Sequence, residues 1–128
     1  MMLYLGIDEV MVIHEVMINL FGGRIPVHDF TPLHSAVERP KATFGGMDLY
    51  STIFDKAAAL IQSLILNHPF DDGNKRTAIT SCASFLAFNG WKLNLPLQES
   101  IQFTLDIDSH KLSFDETAVW LKGHATSV

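Results

Sequence analysis

The stretch NHPFDDGNKRTA, residues 67 to 78, gathers side chains that can transfer protons and bind anions. His68 supplies an imidazole, Asp72 a carboxylate, and Lys75 and Arg76 two cations, all within nine residues. The runs on both sides are apolar and typical of buried helices. So much polar chemistry between two core helices indicates a functional site.

The second half of this stretch predicts an anion-binding helix start. A helix is expected over residues 74 to 88, and its first amides have no intrahelical partner and carry the positive end of the helix dipole. Gly73 lets the backbone approach a ligand closely, and Asn74 either positions a phosphate oxygen or shapes the turn. Because Lys75 and Arg76 add two cations, we predict a phosphorylated ligand.

The first half of the stretch supplies the groups that phosphate chemistry needs. A bound polyphosphate normally carries a divalent cation, and Asp72 offers the hard oxygen ligand that magnesium prefers. The neutral imidazole of His68 can remove a proton from a hydroxyl as its oxygen attacks phosphorus. Phe70, between polar neighbours, is expected to point into the core and fix the loop. The pattern predicts phosphoryl or nucleotidyl transfer, driven mainly by positioning and charge neutralisation.

Each of these residues also has a simpler structural explanation. A lone Asp72 more often caps a helix than binds magnesium. Lys75 and Arg76 are usually solvated, and we expect the same of Asp71. His68 can cap the last carbonyls of the preceding helix. All of these residue types occur together at one helix start, which favours the functional interpretation.

Two other kinds of site fit the stretch less well. It lacks the first glycine of a Walker A loop, and a helix rather than a strand leads into it. A zinc site would need a Cys or His partner at ligand spacing from His68. The other histidines are scattered along the chain: His14, His28, His34, His110 and His124.

Composition limits the class of protein. The 128 residues, 48% of them hydrophobic, suffice for one domain with one core. The formal charge of -5 disfavours a broad grip on nucleic acid. Cys82 lies in an apolar helical run and is expected to be an inert core thiol. The apolar run at residues 57 to 66 is too short to cross a membrane, and we find no signal peptide, so we expect a cytoplasmic protein.

Periodicity and capping residues predict an all-α chain of about six helices. The predicted helices cover about residues 9–21, 31–39, 51–67 and 74–88, and two more begin near Pro96 and Ser113. The first can begin at Asp8 and end at Gly22 and Gly23. Its predicted apolar face consists of Val10, Ile13, Met17 and Leu20.

Capping residues, proline and the lack of helical period predict the remaining elements. Thr31 is predicted to be an N-cap and Pro40 to close that helix, whereas Ser113 and Glu116 form a capping box. The segment at residues 41 to 50 has no helical period and suggests a loop or a small β-hairpin. The buried stripe of the helix at residues 74 to 88 should comprise Ala78, Cys82, Phe85 and Leu86. The last residues, ATSV, look frayed.

The stretch HPFDDGNKRT resembles the signature of Fic-fold proteins, H-x-F-x-[DE]-G-N-(G/K)-R, and within them the death-on-curing (Doc) toxin branch, where lysine replaces the second glycine. The segments FGGRIPVHD, LHSAVERP, FGGMDLYSTIFDKAAAL, FLAFNGWKL and AVWLKGH are similar to successive landmarks of that branch. This resemblance implies a single Fic-type helical domain over residues 1–128. In such a domain, the signature lies between two central antiparallel helices.

The resemblance also implies roles for individual residues. His68 matches the general base, Asp72 the magnesium ligand and Phe70 the core anchor. The phosphate-binding turn corresponds to Gly73, Asn74, Lys75 and Arg76. The loop from Thr43 to Met47 corresponds to the flap that lines the target-binding cleft.

Three positions bear on the activity that the resemblance implies. Lys75 and Ile79 stand where AMP-transferring members have glycine and a second arginine. Doc-type toxins share this departure and transfer the γ-phosphate of ATP, with Mg²⁺, to a threonine of elongation factor Tu. Leu66 stands where the phage-encoded founder of the branch has an arginine, so part of its nucleotide or target grip is absent here.

The expected function is that of a kinase toxin that acts on a translation factor such as elongation factor Tu. We expect it to be paired with a cognate antitoxin. No direct role is expected for nucleic acid or membrane. Two alternatives remain open. One is AMP transfer to a protein hydroxyl. The other is a protein that has lost catalysis and chiefly binds its antitoxin.

Overall fold

The computed structural model describes residues 1–27 and 29–128, which form six α-helices and two small antiparallel strand pairs. The helices are α1 (Ile7–Phe21), α2 (Phe30–Glu38), α3 (Ile53–Leu66), α4 (Asn74–Phe88), α5 (Leu97–Asp108) and α6 (Phe114–Gly123). A 3₁₀ turn covers Arg39–Lys41, and the strands are β1 (Thr43–Phe44), β2 (Met47–Asp48), β3 (Trp91–Leu93) and β4 (Ala125–Ser127). The mostly helical fold and the hairpin are as predicted.

The core is built around α3. This helix packs against α4 and also against α2, α5 and α6. It is buried on most faces, and the run from Ala57 to Ala59 lets neighbouring helices approach closely. Residues 67–73, which we call the joint, connect α3 to α4. A connection this short between helices packed side by side requires them to run antiparallel, as the central pair was predicted to do.

The α4 helix buries Cys82 and the other residues predicted for its core stripe. Cys82 is fully buried on the core stripe of α4, and burial raises the pKa of its thiol, which agrees with an inert cysteine. The predicted neighbours on that stripe, Ala78, Phe85 and Leu86, are buried with it. In the described ranges, no helix has the length and apolar character that crossing a membrane requires.

The predicted apolar face of α1 is confirmed at Val10 and wrong at Leu20. The residues that α1 buries are Val10, His14 and Ile18, whereas Leu20 is 67% exposed. The helix also begins earlier than expected, because Gly6 is the N-cap and its N–H donates to the Glu9 carboxylate. A polar histidine occupies the inner face since it finds a hydrogen-bond acceptor there.

The prediction for α2 was wrong in its cap. Asp29, not Thr31, is the N-cap, and its carboxylate accepts the Thr31 N–H at 2.9 Å. Asp29 is extended, with φ −156° and ψ 131°, which lets its side chain reach back to that amide. Pro40 lies within the 3₁₀ turn that follows the helix rather than directly at its end.

The capping box of α6 is confirmed. Ser113 Oγ accepts the Glu116 N–H at 3.1 Å, and the Glu116 carboxylate accepts the Ser113 N–H at 2.9 Å. The hydrogen bond from the Ser113 backbone, followed by that involving its side chain, lowers the pKa of Glu116.

The β1–β2 hairpin has a fixed base and an exposed tip. Gly45 and Gly46 both have positive φ, as a tight two-residue hairpin turn requires. At the base, the buried Lys56 ammonium lies 3.1 Å from the Asp48 carboxylate and donates to the Tyr50 carbonyl. The tip side chains are apolar and exposed, Phe44 at 80% and Met47 at 74%.

The carboxyl-terminal residues are ordered, so the prediction of fraying was wrong. Strand β4 pairs antiparallel with β3, with Trp91 opposite Ser127 and Leu93 opposite Ala125. The Val128 N–H adds a hydrogen bond to the Gly90 carbonyl at 2.9 Å. The segment is held because its backbone groups pair with those of β3.

Removal of residues 125–128 should therefore lower the free energy of unfolding by about 1–3 kcal/mol, because several backbone hydrogen bonds and the half-buried Ala125 contact are lost. Urea denaturation followed by circular dichroism measures this change. A Val128→Ala control, which alters a side chain 93% exposed, should stay within about 0.5 kcal/mol of the parent. An equally small effect of the truncation would show that β4 contributes nothing to stability.

Candidate functional site

The joint begins where the sequence predicts α3 to stop. The helix ends at Leu66, Asn67 is its C-cap, and His68 adopts φ +46°, outside the helical region. Pro69 disfavours helical geometry at the residue before it, which accounts for the break at His68. Pro69 itself is buried. The His68 side chain is 54% exposed and so remains accessible.

Phe70 anchors the joint in the core, as predicted. It is 3% exposed, and its ring stacks on that of His14 with centroids 3.7 Å apart. The Asn74 side chain closes the loop: Oδ1 accepts the Phe70 N–H at 3.0 Å, and Nδ2 donates to the Phe70 carbonyl at 2.8 Å. Of the two roles predicted for Asn74, the structure shows turn formation.

His14 is a site residue that sequence reasoning missed. It is 2% exposed, and Nε2 donates to the backbone carbonyl of Asp72 at 2.8 Å. The ring thus supports Phe70 by stacking and the next turn of the joint by hydrogen bonding. The sequence signal for this role was a histidine four residues from Val10 and from Ile18, on the face that α1 buries.

The Asp72 carboxylate is held by the turn that follows α1. Its Oδ2 accepts the Arg24 N–H at 2.9 Å. Gly23, with φ +120°, lies so close that an added Cβ would fall 2.9 Å from Asp72 Cβ. The simpler explanation of Asp72 as the cap of α4 is wrong. Gly73 is the N-cap, and no side-chain hydrogen bond caps the helix.

The environment of Asp72 fits a magnesium ligand. Its side chain is exposed, and one oxygen remains beyond the Arg24 contact. Across residues 1–27 and 29–128, no group of three His, Cys, Asp or Glu side chains could hold a metal alone. Magnesium commonly takes one carboxylate and completes its shell with phosphate oxygens and water, so a single aspartate suffices.

The start of α4 has the geometry of an anion site. Gly73 has φ +77°, a left-handed conformation that favours glycine. Its carbonyl accepts the Thr77 N–H at 2.9 Å, the first bond of the helical pattern. The amides of residues 74 to 76 therefore precede that pattern and carry the positive end of the helix dipole.

Asp108, which sequence reasoning did not identify, joins two of the predicted residues. Its Oδ2 lies 3.0 Å from Lys75 Nζ, and its Oδ1 lies 3.3 Å from His68 Nε2. The hydrogen bond from Lys75 is the main cause that lowers the pKa of Asp108, opposed by partial burial and aided by His68. Lys75 is therefore not simply solvated, and His68 faces a carboxylate rather than helix carbonyls.

Arg76 and Asp71 have partners of their own. The Arg76 guanidinium lies over the Phe21 ring, 4.2 Å from its centroid. Asp71 is exposed, as expected, and its carboxylate also lies 3.8 Å from the exposed Arg24 guanidinium. Beside Lys75 and Arg76 opens a groove of about 420 Å³ between α1, α4 and α5. Its apolar lining includes Met17, Leu20, Phe21, Leu97 and Ile101.

The remaining described histidines, His34, His110 and His124, form no cluster. His34 lies 3.8 Å from Glu38, and His124 binds Glu99 at 2.8 Å and stacks on Trp120. His28 lies outside the described residues. The part of the chain that the structure describes offers no cluster that fits zinc.

The chain is similar to known proteins over most of its length. The model of the Fic/DOC family matches residues 4–86, which include the joint and the start of α4. Toxin Doc of Mycolicibacterium smegmatis is 39% identical over 109 residues, 84% of each chain. Protein kinase doc of Escherichia phage P1 is 27% identical over 89 residues, 70% of each chain.

The contact between Gly23 and Asp72 predicts a difference between two adjacent glycines. Gly23→Ala should destabilise the protein by about 1–3 kcal/mol and displace Asp72, because the added Cβ would fall 2.9 Å from both Asp72 Cβ and Ile18 Cδ1 at an unfavourable φ. Gly22→Ala is the matched control, since φ is also positive but the added Cβ meets no atom within 4 Å. Thermal unfolding compares the two. Equal losses would show that the clash with Asp72 has no effect.

Proposed function

We propose a function for this chain on the premise of its family: the chain belongs to the Fic/Doc family. It is the toxin of a type II toxin–antitoxin system and transfers the γ-phosphate of ATP to a hydroxyl of a translation factor, a threonine of elongation factor Tu, which halts translation. The observation that supports this most directly is the pairing of His68 and Lys75 through Asp108 beside the start of α4. In this proposal His68 is the proton acceptor and Lys75 the phosphate-binding cation, and Asp108 contacts both.

The phosphates of ATP would lie at the start of α4. The amides of residues 74 to 76, the Lys75 ammonium and the Arg76 guanidinium all donate hydrogen bonds to anions. Because the chain has a net charge of -5, an anion would be attracted to this local concentration of donors rather than to the protein surface in general. Asp72 would hold Mg²⁺, which neutralises phosphate charge when bound.

His68 acts as the general base. Its free nitrogen accepts the proton of the substrate hydroxyl as that oxygen forms a bond to the γ-phosphorus. The bond between the γ-phosphorus and the bridging oxygen breaks at the same centre, and ADP leaves with the electron pair. Lys75 and the α4 amides stabilise the charge that spreads over the phosphate oxygens.

Two residues favour phosphate transfer over AMP transfer. Lys75 places a long cationic side chain against Asp108 and His68, where the AMP-transferring pattern has glycine. Ile79 is an apolar, partly buried side chain packed against the core, where that pattern has a second arginine. The terminal phosphates therefore lack the cation that the AMP-transferring pose uses. The relative from phage P1, described as a protein kinase, supports the same choice.

Labelled ATP separates the two reactions. Incubation with a bacterial extract should transfer label from the γ position and not from the α position, and the target should gain about 80 daltons rather than about 329. His68→Ala should reduce transfer by about a hundredfold or more, because the base is lost. Label from the α position alone would establish AMP transfer instead.

Growth inhibition in the absence of the antitoxin tests the alternative of lost catalysis. Leu66, partly buried against the core, provides no charge where the founder of the branch has an arginine. If catalysis has been lost, His68→Ala will inhibit growth as strongly as the parent when each is expressed without the antitoxin. Loss of growth inhibition in the variant, together with γ-label transfer by the parent, supports the kinase.

We infer that the antitoxin docks in the groove between α1, α4 and α5. Leu20 and Phe21 on α1 are 67% and 57% exposed, and Leu97 on α5 is 71% exposed. Lys75 and Arg76 lie at the edge of this apolar surface. An amphipathic helix with acidic residues beside its apolar face fits both properties.

A charge placed in the groove should weaken the complex. Leu20→Asp should reduce affinity for the antitoxin by about tenfold or more, because a carboxylate would be buried against apolar side chains. Val119→Asp on α6, where the native side chain is 71% exposed, is the matched control and should bind normally. Sedimentation of each variant made with the antitoxin measures binding. Equal affinity of both variants would place the antitoxin elsewhere.

A further inference from the structure

The Asp108 side chain lies at the end of α5, and its place is set by the core. Ile107 and Phe103 on the same helix are 1% and 2% exposed, so α5 cannot rotate without disrupting the core. Beyond the helix, the N–H groups of Lys111 and Leu112 both donate to the Asp106 carbonyl. This turn fixes the end of α5. Asp108 therefore presents its carboxylate to the joint from a rigid element.

The two oxygens of Asp108 face different partners. Lys75 Nζ, 3.0 Å from Oδ2, only donates hydrogen bonds. His68 Nε2, 3.3 Å from Oδ1, can donate or accept according to which ring nitrogen holds the proton. An ionised carboxylate accepts only. A hydrogen bond between the two therefore requires the proton on Nε2, which in the neutral ring leaves the lone pair on Nδ1.

We propose that Asp108 is a positioning residue: it holds the His68 imidazole with the proton on Nε2, so that Nδ1 is the atom that accepts the substrate proton. This inference rests on the function proposed above. The same carboxylate holds the Lys75 ammonium, and it thereby fixes the base and the phosphate-binding cation relative to each other. The low pKa of Asp108 keeps it ionised at neutral pH.

Asp108→Asn tests the proposal sharply, because the side chain keeps its size, loses its charge and exchanges one acceptor oxygen for an NH₂ donor. Lys75 requires an acceptor, so the amide oxygen should turn toward Nζ. The amide NH₂ then faces His68 Nε2, which must accept, and the ring proton moves to Nδ1. An imidazole with the wrong tautomer cannot act as a base in the same geometry.

Asp106→Asn is the matched control. Asp106 lies on the same helix and carries the same charge, but its carboxylate bonds to Gln102 at 2.7 Å, not to the joint. The amide of asparagine can keep that bond. This variant removes a negative charge near the carboxyl end of α5 without changing the partners of His68 or Lys75.

The direct measurement is the ¹⁵N spectrum of the His68 ring in full-length, histidine-labelled protein at about pH 8, where an ordinary imidazole is neutral. The signal is assigned by its disappearance in His68→Ala. We expect the proton on Nε2 in the parent and in Asp106→Asn, and on Nδ1 in Asp108→Asn. A proton on Nδ1 in the parent, or no change in Asp108→Asn, overturns the inference.

Kinetics provide the second measurement. Asp108→Asn should lower kcat for γ-phosphate transfer by at least about a hundredfold. The KM for ATP should change much less, because Lys75 keeps a neutral acceptor and remains able to bind phosphate. A purely structural role would instead lower thermal stability or raise KM. An unchanged kcat, or a raised KM alone, would contradict the proposal.

The two proposals fail in different ways. If no phosphate is transferred by the parent while Nε2 carries the proton, the proposed function is wrong although the geometry of the pair is as inferred. If phosphate is transferred while Nδ1 carries the proton, the proposed function stands and the role assigned to Asp108 is wrong.

Discussion

The burial of one aromatic side chain determines the rest of this site. Phe70 lies in the core, stacked on His14, while polar residues surround it in the sequence. Both of its backbone groups bond to the Asn74 side chain. Because the middle of the joint is held in this way, His68 before it and Gly73 after it are fixed relative to α4. Without this anchor, seven residues of polar loop would have no reason to adopt one conformation.

Three separate parts of the chain converge on the joint. The turn after α1 supplies the Arg24 N–H that orients Asp72, α1 itself supplies His14, and the end of α5 supplies Asp108. Each is placed by helix packing rather than by the joint. Lys75 is therefore paired with a carboxylate from α5, and Arg76 lies over the Phe21 ring of α1. Such preorganisation suits a reaction that depends on positioning and charge.

The described surface has two exposed apolar regions, the hairpin tip and the groove, and different elements hold them in place. The hairpin tip, at Phe44 and Met47, stands on a base fixed by the buried Lys56. The groove beside Arg76 lies between helices and has no segment of the described chain over its exposed leucines, Leu20 and Leu97. The groove lies beside Lys75 and Arg76, whereas the hairpin is attached near the start of α3, the helix whose other end leads into the joint.

The sequence by itself determined the local features: where α3 stops, where α4 starts, the capping box at Ser113 and the stripe that α4 buries. These depend on proline, glycine, caps and period, which act within a few residues. Only the tertiary structure decided that His14 rather than Leu20 faces inward, that β4 pairs with β3, and that Asp108 joins His68 to Lys75. Those outcomes depend on which distant groups come into contact when the helices pack. Residue spacing within one segment does not determine such contacts.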